Sequence, residues 1–428
     1  MKAKRPTPVA AIEVTTLLKS LSSLKLCKEC AARQGLSQGY AARIAVPAAR
    51  CQICHGILSE IDSLANEICA RLEGYEFDNF LVGARIPQAI LDSEDEMRSE
   101  LKIRGEENLK TQLTRAVGKQ VAERSGKPVN YKRPDITVLV STADRSVAID
   151  PRSLWISARY QKKTRGLPQR SSVCATCNGV GCVQCDYKGA SVNSVEFIAR
   201  DYFKRLFQAE DCNFIWLGSE DHQSLVLGDG RPFFAEIVSP HMRHVSIQSQ
   251  SILASNTPEK QNGIRITINE ILPSKPPHIP TFSVRCRAYL CPGDGVKVGS
   301  VAKEELEKKF SNTTVQVRLS RKSKIVIKKI ERVKLLQDGH RLVIEVECDG
   351  GIPIKKLVIG TDSTVTPNLS NYFEGYSMDP EKAFDILDIS LDGQKNSAPS
   401  TMESDFEIER FSELIDDERK DRPLLVGS

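Results

Sequence analysis

Eight of the thirteen cysteines fall into four CxxC pairs: Cys27/Cys30, Cys51/Cys54, Cys174/Cys177 and Cys182/Cys185. Two residues between thiolates form a tight turn that points both sulfurs inward, so two such pairs can close one tetrahedral metal site. Twenty residues separate Cys30 from Cys51, within the zinc-ribbon-like range. The second quartet is denser, Cys174-Ala-Thr-Cys-Asn-Gly-Val-Gly-Cys-Val-Gln-Cys185, and Gly179 and Gly181 let the chain reverse between its pairs. Structural zinc is expected in both quartets; unligated thiols or a redox dithiol are the alternatives. Of the remaining cysteines (Cys69, Cys212, Cys286, Cys291, Cys348), four lie in apolar or strand-like surroundings that suit buried, inert thiols.

A second chemistry-bearing stretch is Gly218-Ser-Glu-Asp221, followed by Leu227-Gly-Asp-Gly-Arg-Pro-Phe-Phe-Ala-Glu-Ile237. A carboxylate on a Gly-flanked loop beside a hydrophobic sheet has the setting of a nucleophile at a cleft. An ordinary Asx-turn between strands is the competing reading.

The elements that must hold these groups read as follows. Residues 10–26 carry Ile12, Leu17, Leu18, Leu21 and Leu24 at helical spacing, and Ile57 to Arg71 repeats that period. Phe80 to Ala84 is strand-like, Glu94 to Arg124 is one long charged helical stretch, and Asp135 to Val140 with Val147 to Asp150 form a hairpin. Beyond Pro151, Ser153 to Tyr160 alternates like a strand. Ser194 to Phe207 is helical with Ser194 as N-cap. Strands follow at 213–217, 224–227 and 232–237, the last two split by a Gly228-Asp-Gly230 turn. Further strands span 264–272, 282–290, 315–319, 323–336 and 341–348. The texture is α+β, with a larger antiparallel unit after a smaller one. The expected division is a helical metal module at 1–74, an α+β RNA-binding module at 75–150, a catalytic domain at 151–390 and an acidic, disordered tail at 391–428.

Composition narrows the class. The chain has 428 residues, 40% hydrophobic and 27% charged, with net charge +5. That excludes a wholly disordered or collagen-like chain. No apolar run approaches the ~18 residues of a membrane span, and the basic N-terminus leads into no secretory signal. A cytoplasmic monomer is expected. Residues 379–428 carry a balance of −8, leaving +13 on the rest, which points to a polyanion such as nucleic acid as partner. From Arg318 to Lys334 eight bases stand against one acid, alternating with Ile325, Val326, Ile327, Ile330 and Val333. A strand with one apolar and one cationic face, suited to RNA phosphates, is expected there; Arg321, Lys322 and Lys324 are its candidate contacts.

Six blocks in order over residues 151–378 resemble the archaeal and eukaryotic tRNA pseudouridine synthases that act on uridines 54 and 55 of the T-loop. That family's GRYxKxxRGxPQ is matched by Ala158-Arg-Tyr-Gln-Lys-Lys-Thr-Arg-Gly-Leu-Pro-Gln169, and its CxxCxGxGCxxCxYxG element by Cys174 to Gly189. Its SVEExI helix corresponds to Ser194-Val-Glu-Phe-Ile198, and its GREDxDxxxLGxGRPFxxEI signature to Gly218 to Ile237. GGLYIKELVSG and TPSxS correspond to Gly350 to Gly360 and Thr366-Pro-Asn-Leu-Ser370. The amino-terminal part looks like the family's zinc-bearing, THUMP-type accessory domain.

The resemblance implies an antiparallel pseudouridine synthase fold, Asp221 as the catalytic carboxylate, T-arm tRNA as substrate and no cofactor for the chemistry. It implies Arg231, Arg159, Tyr160 and Lys355 as substrate contacts. There are departures. The family's Arg before Glu-Asp is Ser219, its second acid falls within His222-Gln223, and its two tyrosines fall on Cys286 and Pro353. Its QxTPxRVxHRR block is reduced to Asn312 to Arg321. Arg231 is the expected replacement cation, and Tyr289 and Tyr160 are the rings left nearby. The alternative to an isomerase is a catalytically decayed homologue that binds tRNA.

Overall fold

The computed structural model describes residues 19–103, 107–245, 252–253, 263–294, 302–319, 324–338 and 341–391. Most of the helix expected over 10–26, the acidic tail beyond Leu391, and Arg321 and Lys322 lie outside these; residues 19–22 are helical.

The first unit grows around the first cysteine quartet. Helix α1 (Lys28–Arg33) begins at Cys27, whose sulfur accepts the Cys30 N–H, and α2 (Gln38–Ile44) follows. Ile57–Ser59 makes one 3₁₀ turn before α3 (Ile61–Leu72), so the period read over 57–71 breaks at Glu60. Strand β1 (Phe80–Arg85) is followed by α4 (Gln88–Glu100) and α5 (Leu109–Ser125). The single helix expected over 94–124 is thus two. Asn108 caps α5 by accepting the Thr111 N–H, and Gly126 at φ 69° ends it. The buried Glu94 carboxylate accepts the Leu109 N–H at 2.8 Å and pairs with Arg33 at 2.7 Å, which ties α4 to α5 and to the Cys30 helix. Strands β2 (Ile136–Ser141) and β3 (Val147–Pro151) complete a sheet of order β1-β2-β3, the first pair parallel and the second antiparallel. One apolar cluster runs through this unit, from Leu21 and Cys30 through Ile68, Phe80 and Val117 to Val147.

The second unit is one large sheet with helices packed on it. Its strands are β4 (Leu154–Lys162), β5 (Asp211–Trp216), β6 (Val226–Val238), β7 (Ile252–Leu253), β8 (Ile264–Leu272), β9 (Phe282–Pro292) and β10 (Thr313–Leu319). There follow β11 (Lys324–Asp338), β12 (Arg341–Asp349), β13 (Val365–Thr366), β14 (Tyr376–Met378) and β15 (Phe384–Leu391). The order is β13-β10-β11-β12-β9-β15-β6-β4-β8-β7, with β14 beside β9 and β5 beside β6. Every pairing is antiparallel except β15 with β6, which meet at Ile386 and Val226. Helix α6 (Val195–Leu206), capped by Ser194 as expected, buries Val195, Ile198, Ala199 and Phe203 against the sheet. Two shorter helices, α7 (Lys303–Phe310) and α8 (Ile354–Ile359), flank the β9–β13 half.

Two expectations are corrected here. Gly228-Asp-Gly230 does not end one strand and start another. Tyr160 pairs with Arg231 but Lys162 pairs with Val226, so residues 227–230 are a bulge inside a continuous β6. Gly228 and Gly230, at φ 55° and 80°, permit it: a Cβ on either would lie within 2.5 Å of a neighbouring carbonyl oxygen. The basic strand, β11, is also not apolar along one face. Ile330 and Val333 are buried, but Ile325 and Ile327 are 50% and 71% exposed, because their partners on β10, Arg318 and Gln316, face solvent with them.

The two units touch through a small set of bonds. Glu76 accepts the N–H groups of Arg243 and His244 at 2.7 and 2.8 Å, and Tyr75 stacks on His241 with 3.9 Å between ring centroids.

Candidate active site

The loop from Leu217 to Ser224 leaves β5 and returns into β6, and its carbonyls are held from below by buried donors. Arg231 Nη1 donates to Leu217 O at 2.6 Å and Nη2 to Ser219 O at 3.2 Å. Lys162 Nζ donates to the carbonyls of Asp221 and His222 at 3.3 and 3.4 Å. Glu220, fully buried, joins the two cations: it lies 3.1 Å from Lys162 Nζ and 3.0 Å from Arg231 Nε. The Tyr160 hydroxyl donates to Glu220 at 2.6 Å and accepts from Gln169 at 3.0 Å. Burial lowers the Lys162 pKa, and Glu220 opposes that shift. Taking ionic groups out of water is costly unless each has its partner, and here each does.

This clasp aims Asp221 outward. Its Oδ1 accepts the Gln223 N–H at 2.9 Å and lies 3.3 Å from His222 Nδ1; its Oδ2 lies 2.5 Å from Lys355 Nζ. Burial alone would raise the Asp221 pKa, but the Lys355 ammonium, the Gln223 N–H and His222 outweigh it, so the carboxyl titrates below its ordinary value.

Asp221 and Lys355 stand at the edge of a cleft of about 670 Å³, within the ~300–1,000 Å³ usual for small-molecule sites. Its walls are largely apolar: Phe282, Val284 and Cys286 from β9, Val317 and Leu319 from β10, Ile352, Pro353 and Ile354 before and in α8, and Phe384 and Ile386 from β15. Arg318 and Lys356 add positive charge. Cys286 is wholly buried, and desolvation pushes its thiol well above the ordinary value, so it is an inert wall.

The sequence-predicted residues separate into two groups. Asp221, Lys355 and Arg231 meet around one loop, but Arg231 is buried on Glu220, and the cation at Asp221 is Lys355. Tyr160 is 1% exposed, with its hydroxyl committed to Glu220. Arg159 donates to Gly230 O and Ile389 O at 2.9 and 3.0 Å, bracing the bulge. Tyr289 donates to Asp385 at 2.9 Å. Lys324 is exposed on β11. Lys162, Glu220 and Gln169 were not singled out by sequence reasoning, although all three lie inside the family-like motifs at 158–169 and 218–237.

Both cysteine quartets have the shape of a metal site. Within each, the four sulfurs lie within 4.8 Å of one another. Tetrahedral zinc, with Zn–S about 2.3 Å, needs sulfurs about 3.8 Å apart. Cys27 and Cys54 are 3.6 Å apart, Cys174 and Cys182 3.9 Å, and Cys177 and Cys185 3.8 Å. The backbone N–H of Cys182 pulls the Cys185 thiol down to about 6 against the opposing effect of burial, and the Gly189 N–H assists. Both quartets can therefore hold a metal ion. No helix among the described residues is long and apolar enough to cross a membrane.

Two family models match the chain: "Pus10 THUMP domain, archaeal" over residues 64–141 and "Pus10, C-terminal" over residues 155–278. Among curated proteins, it is 30% identical to the tRNA pseudouridine synthase Pus10 of Nitrosopumilus maritimus, over 76% of this chain and 82% of that one. The Methanocaldococcus jannaschii protein of the same name is 31% identical, over 79% and 76% respectively. Among solved structures, a Cbf5-Nop10-Gar1 complex aligns with 13% identity and a TM-score of 0.28, covering 54% of this chain and 48% of that one.

Proposed function

Because the chain belongs to the Pus10 family of tRNA pseudouridine synthases, we propose that it isomerises uridine to pseudouridine in the T-loop of tRNA (positions 54/55), with Asp221 as the catalytic carboxylate. The observation that carries this reading is an ionised acid at the edge of a nucleotide-sized apolar cleft, paired to a partly exposed lysine. The reaction breaks the bond from C1′ to N1, turns the uracil, and forms a bond from C1′ to C5. C5 gives up a proton and N1 gains one, so composition is unchanged and no cofactor is consumed. An ionised Asp221 can attack the nucleotide or assist glycosidic cleavage. The uridine must first leave the stacked loop, at a cost of a few kcal/mol offset by contacts elsewhere. Arg318, Lys324 and Lys356, with Arg321 and Lys322, are the proposed phosphate contacts.

We further propose zinc in both quartets, with structural roles. Residues 1–150 would dock the tRNA and 151–390 would carry the reaction. Mapping pseudouridine in a T-arm RNA, with and without Asp221→Ala, tests the catalytic reading. Tight binding with no pseudouridine from the wild type on any tRNA would leave the tRNA-binding homologue in its place. The replacement of both family tyrosines by Cys286 and Pro353 is the observation that favours that second reading.

A further inference from the structure

A uridine drawn out of a loop needs a flat apolar surface in the cleft, and aromatic rings supply one by stacking on the base. Neither surviving tyrosine does so: Tyr160 lies beneath the Asp221 loop, and Tyr289 is turned to Asp385. Among the described residues two rings line the cleft, Phe282 and Phe384, and Phe384 is only 8% exposed. We infer that Phe282 is the stacking platform for the target base, an inference that rests on the isomerase reading for the identity of that base.

Phe282 is the first residue of β9, half-buried, on the cleft face with Val284 and Cys286 at alternate positions. Two missing side chains make room for its ring. A Cβ on Gly350 would lie 2.2–2.5 Å from three ring carbons, and one on Gly218 would lie 3.2 Å from Cζ. The Gly350 N–H also donates to Phe282 O at 2.6 Å. The ring is thereby wedged between the segment that carries Asp221 and the segment that leads to Lys355. It lines the same cleft as the acid–cation pair, from a position four residues before Cys286.

The test compares binding of T-arm stem-loops that carry either uridine or an abasic site at the target position, measured without regard to turnover. The wild type should prefer the uridine RNA by about tenfold or more, the scale of one base–aromatic stack. Phe282→Leu should remove that preference, and Phe282→Tyr and Phe282→Trp should keep it. Gly350→Ala, which crowds the ring without deleting it, should weaken the preference too, and decides the matter if Phe282→Leu does not fold by thermal melting. A preference that survives both Phe282→Leu and Gly350→Ala, or a wild type with no preference, overturns the inference. A preference that behaves as expected in a chain that makes no pseudouridine supports the platform and removes only the catalytic reading.

Discussion

Lys355 Nζ sits 2.5 Å from Asp221 Oδ2, and the two residues come from opposite halves of the large sheet. Asp221 is on the loop entering β6, while Lys355 is the second residue of α8, beyond β12. The side chain before Glu220 is Ser219, with no charge of its own. The strongest of the groups that hold the acid's pKa down is therefore a lysine 134 residues away.

The acid limb of the rate–pH profile should follow from this pairing. In the wild type the limb should lie below the ordinary Asp value of ~3.9. Lys355→Met removes the largest lowering influence and leaves burial opposed only by the Gln223 N–H and His222, so the limb should move upward. The stability contributed by the pair has the matching sign: present above the unfolded carboxyl's pKa, lost as pH falls through the lower folded value. Single-turnover rates against pH, for both proteins, check this; an unmoved limb would count against Lys355.

Asp221→Ala should abolish pseudouridine formation and leave tRNA affinity nearly unchanged, since one acid adds little to phosphate binding. Asp221→Asn should be equally inactive, because the amide keeps the shape without an ionised oxygen. Product mapping beside filter-binding affinity separates the two effects.

Glu220→Gln leaves Lys162 and Arg231 without their shared counter-ion in a site closed to water. Breaking a buried pair from one side typically costs about 3–5 kcal/mol. Urea denaturation should show a loss of that order, and a loss under about 1 kcal/mol would refute the clasp.

Elemental analysis after purification under reducing conditions should give two zinc ions per chain. Structural zinc contributes on the order of 10 kcal/mol to folding in small modules. Cys51→Ser should remove one ion and abolish amide protection from Leu26 to Val147, where one core is shared, while sparing β4 to β15.

RNA affinity should fall steeply with salt, with a log–log slope of several units. Neutralising Lys324, Lys329 and Lys334 together on β11 should flatten that slope. Unchanged binding in the triple variant would move the RNA surface elsewhere.

Much of this was legible in the chain because it rests on local rules. Most strands beyond Pro151, the Ser194 cap and the two converging cysteine quartets follow from alternation, capping and spacing that neighbouring residues decide. The failures are long-range. The break between α4 and α5 is tied by Glu94, which accepts the Leu109 N–H and pairs with Arg33, and the bulge in β6 follows the register of β4; the local signals at both, the Asn108 cap and the Gly228 and Gly230 pair, do not reveal those partners. Lys162 and Glu220 lie in two different motifs, and only the fold buries both and pairs them. The Lys355–Asp221 pair joins two motifs that stand 134 residues apart in the chain.

The position of β15 bears on the order in which the protein takes shape during synthesis. It lies between β9 and β6, and it is the last strand described. Until residues 384–391 have left the ribosome, the half-sheet bearing Asp221 and the half-sheet bearing Phe282 and Lys355 each expose an open edge. The cleft is therefore assembled late, and a nascent chain cut short before Phe384 could fold most of its parts yet lack the cleft.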